Sequence, residues 1–372
     1  MFRRRFFFMP NIIHAADFHI GAKFDFLPPD RAAEAVSLQL SALQSFVTYA
    51  GASAADAVLI AGDLFDTPDV RPQISSAVFA LLAKCPCPVF LSPGNHDYYH
   101  AGSPYATQPL PQNLHVFTGR TLEPVALNDG KTVIWGAAFQ DNKAVISLEA
   151  PLDPSKCNIC LMHGELGGTG GYNSISESAV IGSRFDYIAL GHNHRFSGVF
   201  RIGQTALSCP GCFSATASDE TGVKGYLTGR IEKGDVSLTL RPSGALEFAT
   251  VSLPMTGLQS DAMLAEALLP LLPQPPARIC CIVHLTGTRM YEPNLTALSR
   301  SLRHSFFHAQ VIDESSAMQD LYRYQKDDGL RGTVTRDFLS RMEKCSQDEK
   351  SCAKLTLALE YALAALDGRE LD

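Results

Sequence analysis

Asn11-Ile12-Ile13-His14-Ala15-Ala16-Asp17-Phe18-His19-Ile20-Gly21 is the stretch on which the fold turns. Asn11–Ala16 reads as a buried strand, and Asp17 and His19 follow at alternate positions. At a strand end or in a tight loop, alternate side chains can converge on one point. The arrangement recurs. Gly62-Asp63-Leu64-Phe65-Asp66 follows the apolar run Ala57–Ala61, and Gly94-Asn95-His96-Asp97 follows Val89–Ser92. His163-Gly164-Glu165 follows Ile159–Met162, and Gly191-His192-Asn193-His194 follows Tyr187–Leu190. In layered α/β folds, ligands gather beyond the carboxyl ends of the strands, so five strands would deliver polar groups to one rim.

The residue types fit a metal centre. Imidazole and carboxylate together suit borderline divalent ions such as Mn, Fe or Zn, and Asn95 adds a neutral amide oxygen. Glycines before Asp63, Asn95 and His192 let the backbone turn sharply and approach the site. An Asp-x-His pair alone is a weak signal, and a lone histidine in an apolar strand is usually a satisfied core residue. His14 is assigned to that class. Five motifs in this order, each at a strand end, carry the metal reading.

Outward from the motifs, short apolar runs alternate with amphipathic stretches, the pattern of an α/β layered fold. Pro28-Pro29-Asp30 starts a helix with Val36, Leu40, Leu43, Val47 and Ala50 on one face. Ile74, Val78, Leu81 and Leu82 mark a second helix. Further strands are expected at Val133–Gly136, Val199–Ile202, Ala206–Ser208, Tyr226–Ile231 and Val236–Leu240. After about residue 250 the character changes. Leu253-Pro254 and Leu272-Pro273-Gln274-Pro275-Pro276 read as linkers around a helix at Met263–Leu272. Strand Ile279–Leu285, helix Asn294–Ser305 and strand Ala309–Ile312 outline a small α+β module. Cys352–Leu366 reads as a terminal amphipathic helix, either packed on its own domain or docking a partner. The expected domains are 10–250 (catalytic), 251–345 (capping) and 346–372 (helical tail).

The 372 residues suffice for a large domain and a smaller one, and 46% are hydrophobic, as in a soluble globular protein. Net charge is −7, with 18 basic against 22 acidic residues in 1–250 and 13 against 16 in 251–372. Neither part is a basic nucleic-acid-binding module by composition, so a polyanionic substrate has to be held by local patches and bound ions. No apolar run is long enough to span a bilayer, so no membrane association is expected. Met1–Phe8 mimics the opening of a signal peptide, but its apolar stretch is too short. It reads as a ragged start, with Met9 as an alternative initiator. Ten cysteines include Cys157/Cys160 and Cys209/Cys212, but 48 residues separate the pairs, too far for a zinc ribbon. The first pair would point to opposite faces of a strand, and Pro210-Gly211 within the second marks a turn. Scattered cysteines fit a reducing cytosol, and a cytoplasmic location is expected.

The pattern resembles the calcineurin-like metallophosphoesterase superfamily, and within it the SbcD-like DNA repair exonucleases, including the YhaO-type group. The resemblance rests on Ile13–Gly21, Gly62–Asp66, Gly94–Asp97 and Gly191–His194, and extends through Pro210-Gly211 to Glu220–Gly225. It covers about residues 11–245; beyond them only the domain plan is alike. It implies a layered β-sandwich flanked by helices, with a small C-terminal α+β cap. It implies two divalent ions, Mn²⁺ foremost with Fe or Zn as alternatives. Asp17, His19 and His194 would hold the first, Asn95, His163 and His192 the second, and Asp63 would bridge both. One carboxylate between two cations offsets their repulsion, and the pair primes a water for in-line attack at phosphorus. His96 would stay clear of the metal and act on the scissile phosphate or the leaving oxygen, with Asp97 orienting it. Asp66 departs from the archaeal and eukaryotic nucleases, which carry His there, and its role stays open. Tyr98-Tyr99-His100 would stack on a base or pack in the core or at the rim.

The likeness further implies a 3′-to-5′ DNA exonuclease acting in repair with an SbcC-like coiled-coil ATPase, and a homodimer. Arg289, Arg300, Arg303, Arg331, Arg336, Arg341 and Lys344 are either phosphate contacts or an ordinary solvated surface. The alternative is a phosphodiesterase or phosphatase for small nucleotides. Thr67-Pro68 and Asp97 depart from the protein phosphatases, which carry Arg-Gly and Glu there. A non-catalytic scaffold conflicts with seven competent ligand positions.

Overall fold

The computed structural model describes residues 10–168, 171–317, 324–344 and 349–366. The reading of Met1–Phe8 and Met9 lies outside the described residues. The elements that matter are β1 Asn11–Ala15, α1 Pro29–Ala52, β2 Ala57–Ile60, α2 Pro72–Leu82, β3 Val89–Leu91, β4 Leu114–Val116, β5 Glu123–Ala126, β6 Thr132–Gly136 and β7 Cys157–Met162. They continue with α3 Glu177–Ser183, β8 Tyr187–Leu190, β9 Phe200–Ile202, β10 Thr205–Ser208, β11 Gly225–Glu232 and β12 Asp235–Pro242.

Two six-stranded sheets form, in the orders β12-β11-β1-β2-β3-β4 and β9-β10-β8-β7-β6-β5. Strands β1 to β4 run parallel to one another, as do β6, β7, β8 and β10. A parallel pair brings its carboxyl ends to one edge, which is why the five motifs share a rim. One apolar layer joins Ile12, Leu59 and Phe90 of the first sheet to Ile134, Ile159 and Ala189 of the second. The opposite face of the first sheet, with Ile13, Val58 and Leu91, packs on Leu43, Phe46 and Val47 of α1 and Val78 and Leu82 of α2. The outer face of the second, with Trp135, Met162 and Ile188, packs with Val180 of α3. The central strands are thus buried on both faces, which explains their unbroken apolar sequence. This is the layered α/β sandwich that the sequence implies.

The chain divides into two compact units. The first comprises Met1–Val251, Leu272–Val283 and Thr296–Val311; the second comprises Ser252–Leu271, His284–Leu295 and Ile312–Asp372. The division differs from the boundary expected at 250. Cys280 and Phe307 are apolar and pack with Phe24, Leu27, Leu246 and Phe248, which draws their segments into the first unit. Leu253-Pro254, expected as a linker, ends strand β13 (Glu247–Pro254), which shares a three-stranded sheet with β14 (Ile279–Thr286) and β15 (His308–Asp313). Helix α4 (Asp261–Leu268) is followed by a 3₁₀ turn at Leu269–Leu271, because Pro270 cannot continue a helix. Helix α5 spans Leu295–Ser305. The sequence reading missed α6 (Leu330–Lys344). In the second unit, Leu359 and Leu363 of α7 (Glu349–Leu366) pack on Val334, Phe338 and Met342 of α6.

Candidate metal centre

The loops after the parallel strands are tied together before any side chain acts. Asp17 N–H donates to the Gly62 carbonyl at 3.1 Å, His19 N–H to Asp63 at 3.0 Å and Ile20 N–H to Leu64 at 3.0 Å. Close approach demands glycine here. A Cβ on Gly62 would lie 2.3 Å from His163 Nδ1, and one on Gly94 2.2 Å from Asp63 Oδ1. Asp17, His19, Asp63 and His192 all have positive φ, between 47° and 79°. Non-glycine residues in that region cost on the order of 1–3 kcal/mol each, and such strain persists where the surroundings over-determine it.

All seven candidate ligands meet. His19 Nε2 lies 3.1 Å from His194 Nε2 and 3.9 Å from Asp63 Oδ2. His163 Nε2 lies 2.8 Å from Asn95 Oδ1 and 3.3 Å from Asp63 Oδ2. His192 Nδ1 is 3.2 Å from the same Asn95 oxygen. Asp63 therefore stands between the two groups. Asp17, His19 and His194 offer ligand atoms within 4.8 Å of one another, as do Asp17, Asp63 and His163. Asp17, Asp63 and His163 are buried, and Asp17 takes the His192 N–H at 3.0 Å on each oxygen.

The outer nitrogens decide what the inner ones present. His163 Nδ1–H donates to the Ala61 carbonyl at 2.9 Å. His194 Nδ1–H donates to Glu220 Oε1 at 2.5 Å, and His19 Nδ1 faces Asp66 Oδ1 at 3.3 Å. Each of these bonds turns an Nε2 lone pair inward. Two inward lone pairs only 3.1 Å apart repel unless a cation stands between them or one takes a proton. The donor set fits a cation.

Without a cation, the surrounding carboxylates draw protons onto the histidines instead. Burial alone would lower His19, but its bond to Asp66 and the charges of Asp63 and Asp17 hold it up at about 9. His163 is likewise carried against burial to about 9 by Asp63 and Asp17. Burial also opposes His194, which Glu220 and Asp17 nevertheless raise. His192 falls to about 4 through burial and the neighbouring His163. Burial acts to raise Asp63, but His163 and His19 hold it well below the carboxylate range.

One expectation is corrected. Asp97 does not orient His96. Its buried carboxylate accepts the N–H groups of Gly94 (2.8 Å), Leu64 (2.8 Å), Asp63 (3.2 Å) and Phe65 (3.3 Å), and the Tyr105 hydroxyl. A buried carboxylate needs that many donors, and they lie in the loops it fastens. His96 instead donates Nδ1–H to the Asp66 carbonyl at 3.0 Å, while its ring stands 4.7 Å from that of His19 at 90°. Asp66 thus serves both histidines, through its side chain to His19 and its backbone to His96. His96 is exposed, at the edge of the cluster.

Sequence reasoning missed Gln39, Tyr172 and the role of Glu220. Gln39 is buried on α1 and donates Nε2–H to the carbonyls of Phe18 (2.8 Å) and His19 (3.2 Å). Tyr172 stacks on His192 at 5.1 Å. Neither lies in a recognisable motif. His14 is the satisfied core histidine that was expected, bonded to Tyr187 Oη at 2.8 Å and the Leu190 carbonyl at 3.0 Å. Cys157 and Cys160 sit in different apolar layers. Cys209 and Cys212 are buried free thiols directed at the carbonyls of Asn193 (3.0 Å) and His194 (3.6 Å), supports for the last motif. Tyr98 and Tyr99 pack against separate apolar clusters. Among the described residues no helix is long and apolar enough to cross a membrane.

Known proteins bear on this geometry. The profile of the calcineurin-like phosphoesterase family matches residues 10–196. The uncharacterized metallophosphoesterase YhaO of Bacillus subtilis (strain 168) is 30% identical over 247 residues, covering 61% of this chain and 59% of that protein. The chain therefore spans less than two thirds of that relative's length. The TT1561 protein of Thermus thermophilus is similar at a TM-score of 0.42 and 14% identity, over 63% of this chain and 100% of that one. Because the profile spans half of the chain and takes in every motif from Asp17 to His194, the chain belongs to the calcineurin-like phosphoesterase family.

Proposed function

We propose that this chain is a metal-dependent 3′-to-5′ DNA exonuclease acting in DNA repair. The observation that carries the hydrolytic reading is Asp63, set between His19 and His163 as the middle one of seven converging donors. Asp17, His19 and His194 would hold one divalent ion and Asn95, His163 and His192 the other, with Asp63 shared. When bound, the ions supply the positive charge that offsets a phosphodiester and lowers the pKa of a water for attack at phosphorus. The chain supplies the rest. Glu220 and the Ala61 carbonyl hold the protons of His194 and His163 on Nδ1. His96, fixed through Nδ1 on the Asp66 carbonyl, turns Nε2 to the substrate, where its imidazolium form would donate to a phosphate oxygen or protonate the leaving oxygen. DNA as substrate is supported by the four motifs shared with SbcD-like nucleases and their continuation through Glu220–Gly225. On the same likeness we propose an SbcC-like ATPase partner and a homodimer, with α7 as the dock, where Leu357 and Tyr361 are exposed.

A second reading, a phosphodiesterase for small nucleotides, is favoured by one observation. Several arginines that would grip DNA are engaged within the chain. Arg289 bonds the Ser315 carbonyl (2.7 Å) and Glu292 (3.0 Å), and Arg303 the Ala309 carbonyl (3.0 Å). Arg336 bonds the carbonyls of Gln325 (2.9 Å) and Asp327 (2.8 Å), and Arg341 pairs with Asp337 at 2.8 Å.

The test is purified protein with Mn²⁺ and labelled single- and double-stranded DNA, beside bis-p-nitrophenyl phosphate and cyclic nucleotides. Shortening of DNA from its 3′ ends is expected, and Asp63→Ala should abolish it. His96→Ala should keep its metal and lose about 10²–10⁴-fold in turnover. Cleavage of the small esters with intact DNA would replace the nuclease reading by the second one.

A further inference from the structure

The two halves of the donor cluster are built differently. Behind His194, Nδ1 meets the Glu220 carboxylate at 2.5 Å. Glu220 is only 7% exposed and is itself fixed by the N–H groups of Thr216 at 2.6 Å and Ala217 at 3.2 Å. Behind His19, Nδ1 meets the Asp66 carboxylate at 3.3 Å. The other pair has different backing. His163 gives its Nδ1–H to the Ala61 carbonyl at 2.9 Å, with the Asp17 carboxylate farther off at 3.8 Å. His192 turns Nδ1 inward, 3.2 Å from the Asn95 amide oxygen, and its ring lies against Tyr172.

A carboxylate on the far nitrogen of an imidazole fixes the ring, keeps the lone pair at the near nitrogen and makes it more basic. It also adds negative charge beside the donor set, screened least at the buried Glu220. The Asp17–His19–His194 half therefore has one inner carboxylate of its own, the shared Asp63, and two outer carboxylates. The Asn95–His163–His192 half has the shared Asp63 and an amide.

We infer that Glu220 and Asp66 are positioning residues that make Asp17–His19–His194 the tight half of the centre. That half fills first and keeps its ion under conditions that strip the other. The inference rests on the two-ion reading proposed above. Removing outer partners of this kind costs about 10–100-fold in metal affinity, which sets the expected size.

The experiment is calorimetric titration of the full chain with Mn²⁺ after chelator treatment, with metal counted after desalting. Wild type should show two steps at least about tenfold apart and retain close to one ion on the column. Glu220→Gln keeps an oxygen for His194 Nδ1–H but removes the charge. It should weaken the tight step about 10–100-fold and spare the weak one. Asn95→Ala should remove the weak step alone. Thermal unfolding of the metal-free variant separates lost positioning from lost folding. If Glu220→Gln does not fold, Asp66→Asn carries the same expectation. Two equal steps in wild type would overturn the inference while leaving the two-ion reading intact. So would a folded Glu220→Gln whose tight step is unchanged or whose two steps weaken alike. A wild-type chain that binds no Mn²⁺ would remove the two-ion reading itself.

Discussion

His14 and His19 lie on the same strand and its outgoing loop, and both are buried, at 0% and 2% exposure. They nevertheless differ in every chemical respect. His14 is satisfied by two neutral groups, a tyrosine hydroxyl and a backbone carbonyl, and burial drives its pKa down to about 3. His19 faces Asp66, Asp63 and another histidine, and is held up at about 9. The strand body surrounds its histidine with neutral groups, whereas the strand end gathers carboxylates and imidazoles that shift one another. Burial therefore does not mark a functional histidine. A cluster of ionisable neighbours does, together with the positive φ that His19 shares with Asp17, Asp63 and His192.

The largest effect expected within this contrast belongs to Asp97, which sits between the two regimes. It is a charged group at the strand ends, yet its partners are almost all backbone N–H groups. Burial and the charge of Asp63 raise its pKa, so the surrounding donors are needed to keep it in place. Asp97→Ala would leave the N–H groups of Gly94 and Leu64 and the Tyr105 hydroxyl without acceptors in a buried site. The expected loss is on the order of 3–5 kcal/mol, read as a shift in the urea midpoint of the metal-free protein. A change below about 1 kcal/mol would mean that the loops do not depend on this carboxylate.

His14 gives the next test, through pH. Its folded pKa lies far below the ordinary value, so the fold keeps it neutral while the unfolded chain takes up a proton below about pH 6.5. Its share of stability is complete above that pH and is lost as the pH falls from about 6.5 towards 3, at up to about 1.4 kcal/mol per pH unit. Urea denaturation at several pH values, compared with His14→Gln, isolates this share. The wild type should lose stability more steeply than the variant between about pH 6 and 4. Equal slopes would show that His14 is protonated in the fold and that the contrast with His19 is false.

Much of this was legible in the sequence, for reasons that also explain what was not. The motif glycines and donors are short-range features, and an apolar run ahead of each fixes its place at a strand end. Helix α1 announced itself through Pro28-Pro29-Asp30 and a repeating face, although the buried set includes Ala35, Gln39, Ala42 and Phe46 as well as residues of that face. Glu220 and Asp66 were visible as residues, but their partnership with His194 and His19 depends on distant loops meeting, which no spacing encodes. A carboxylate beside a working imidazole commonly orients it, which is what the sequence suggests for Asp97 and His96. Adjacent side chains leave the backbone in different directions, so Asp97 turned inward to the loop amides while His96 stayed at the rim. The packing of Cys280 and Phe307 is not readable from the sequence, because their partners lie near Phe24 and Phe248.

Gln39 is the smallest of the expected effects and the most direct probe of how the strained loop is kept. Its amide donates to both Phe18 and His19 carbonyls, the backbone around two left-handed residues, Asp17 and His19. Its own Oε1 has no hydrogen-bond partner among the described residues. Gln39→Leu therefore loses two bonds but also removes one buried unsatisfied acceptor, and the net cost should be only about 1 kcal/mol. The local consequence should exceed the global one. The His19 amide, bonded to the Asp63 carbonyl, should exchange with deuterium faster in the variant, while amides in the body of β1 keep their protection. Unchanged exchange at His19 would show that the ladder from Asp17 to Leu64 holds the strained backbone without help from α1. Faster exchange along the whole strand would show that Gln39 supports the sheet itself, and the line drawn here between strand body and strand end would then have to be moved.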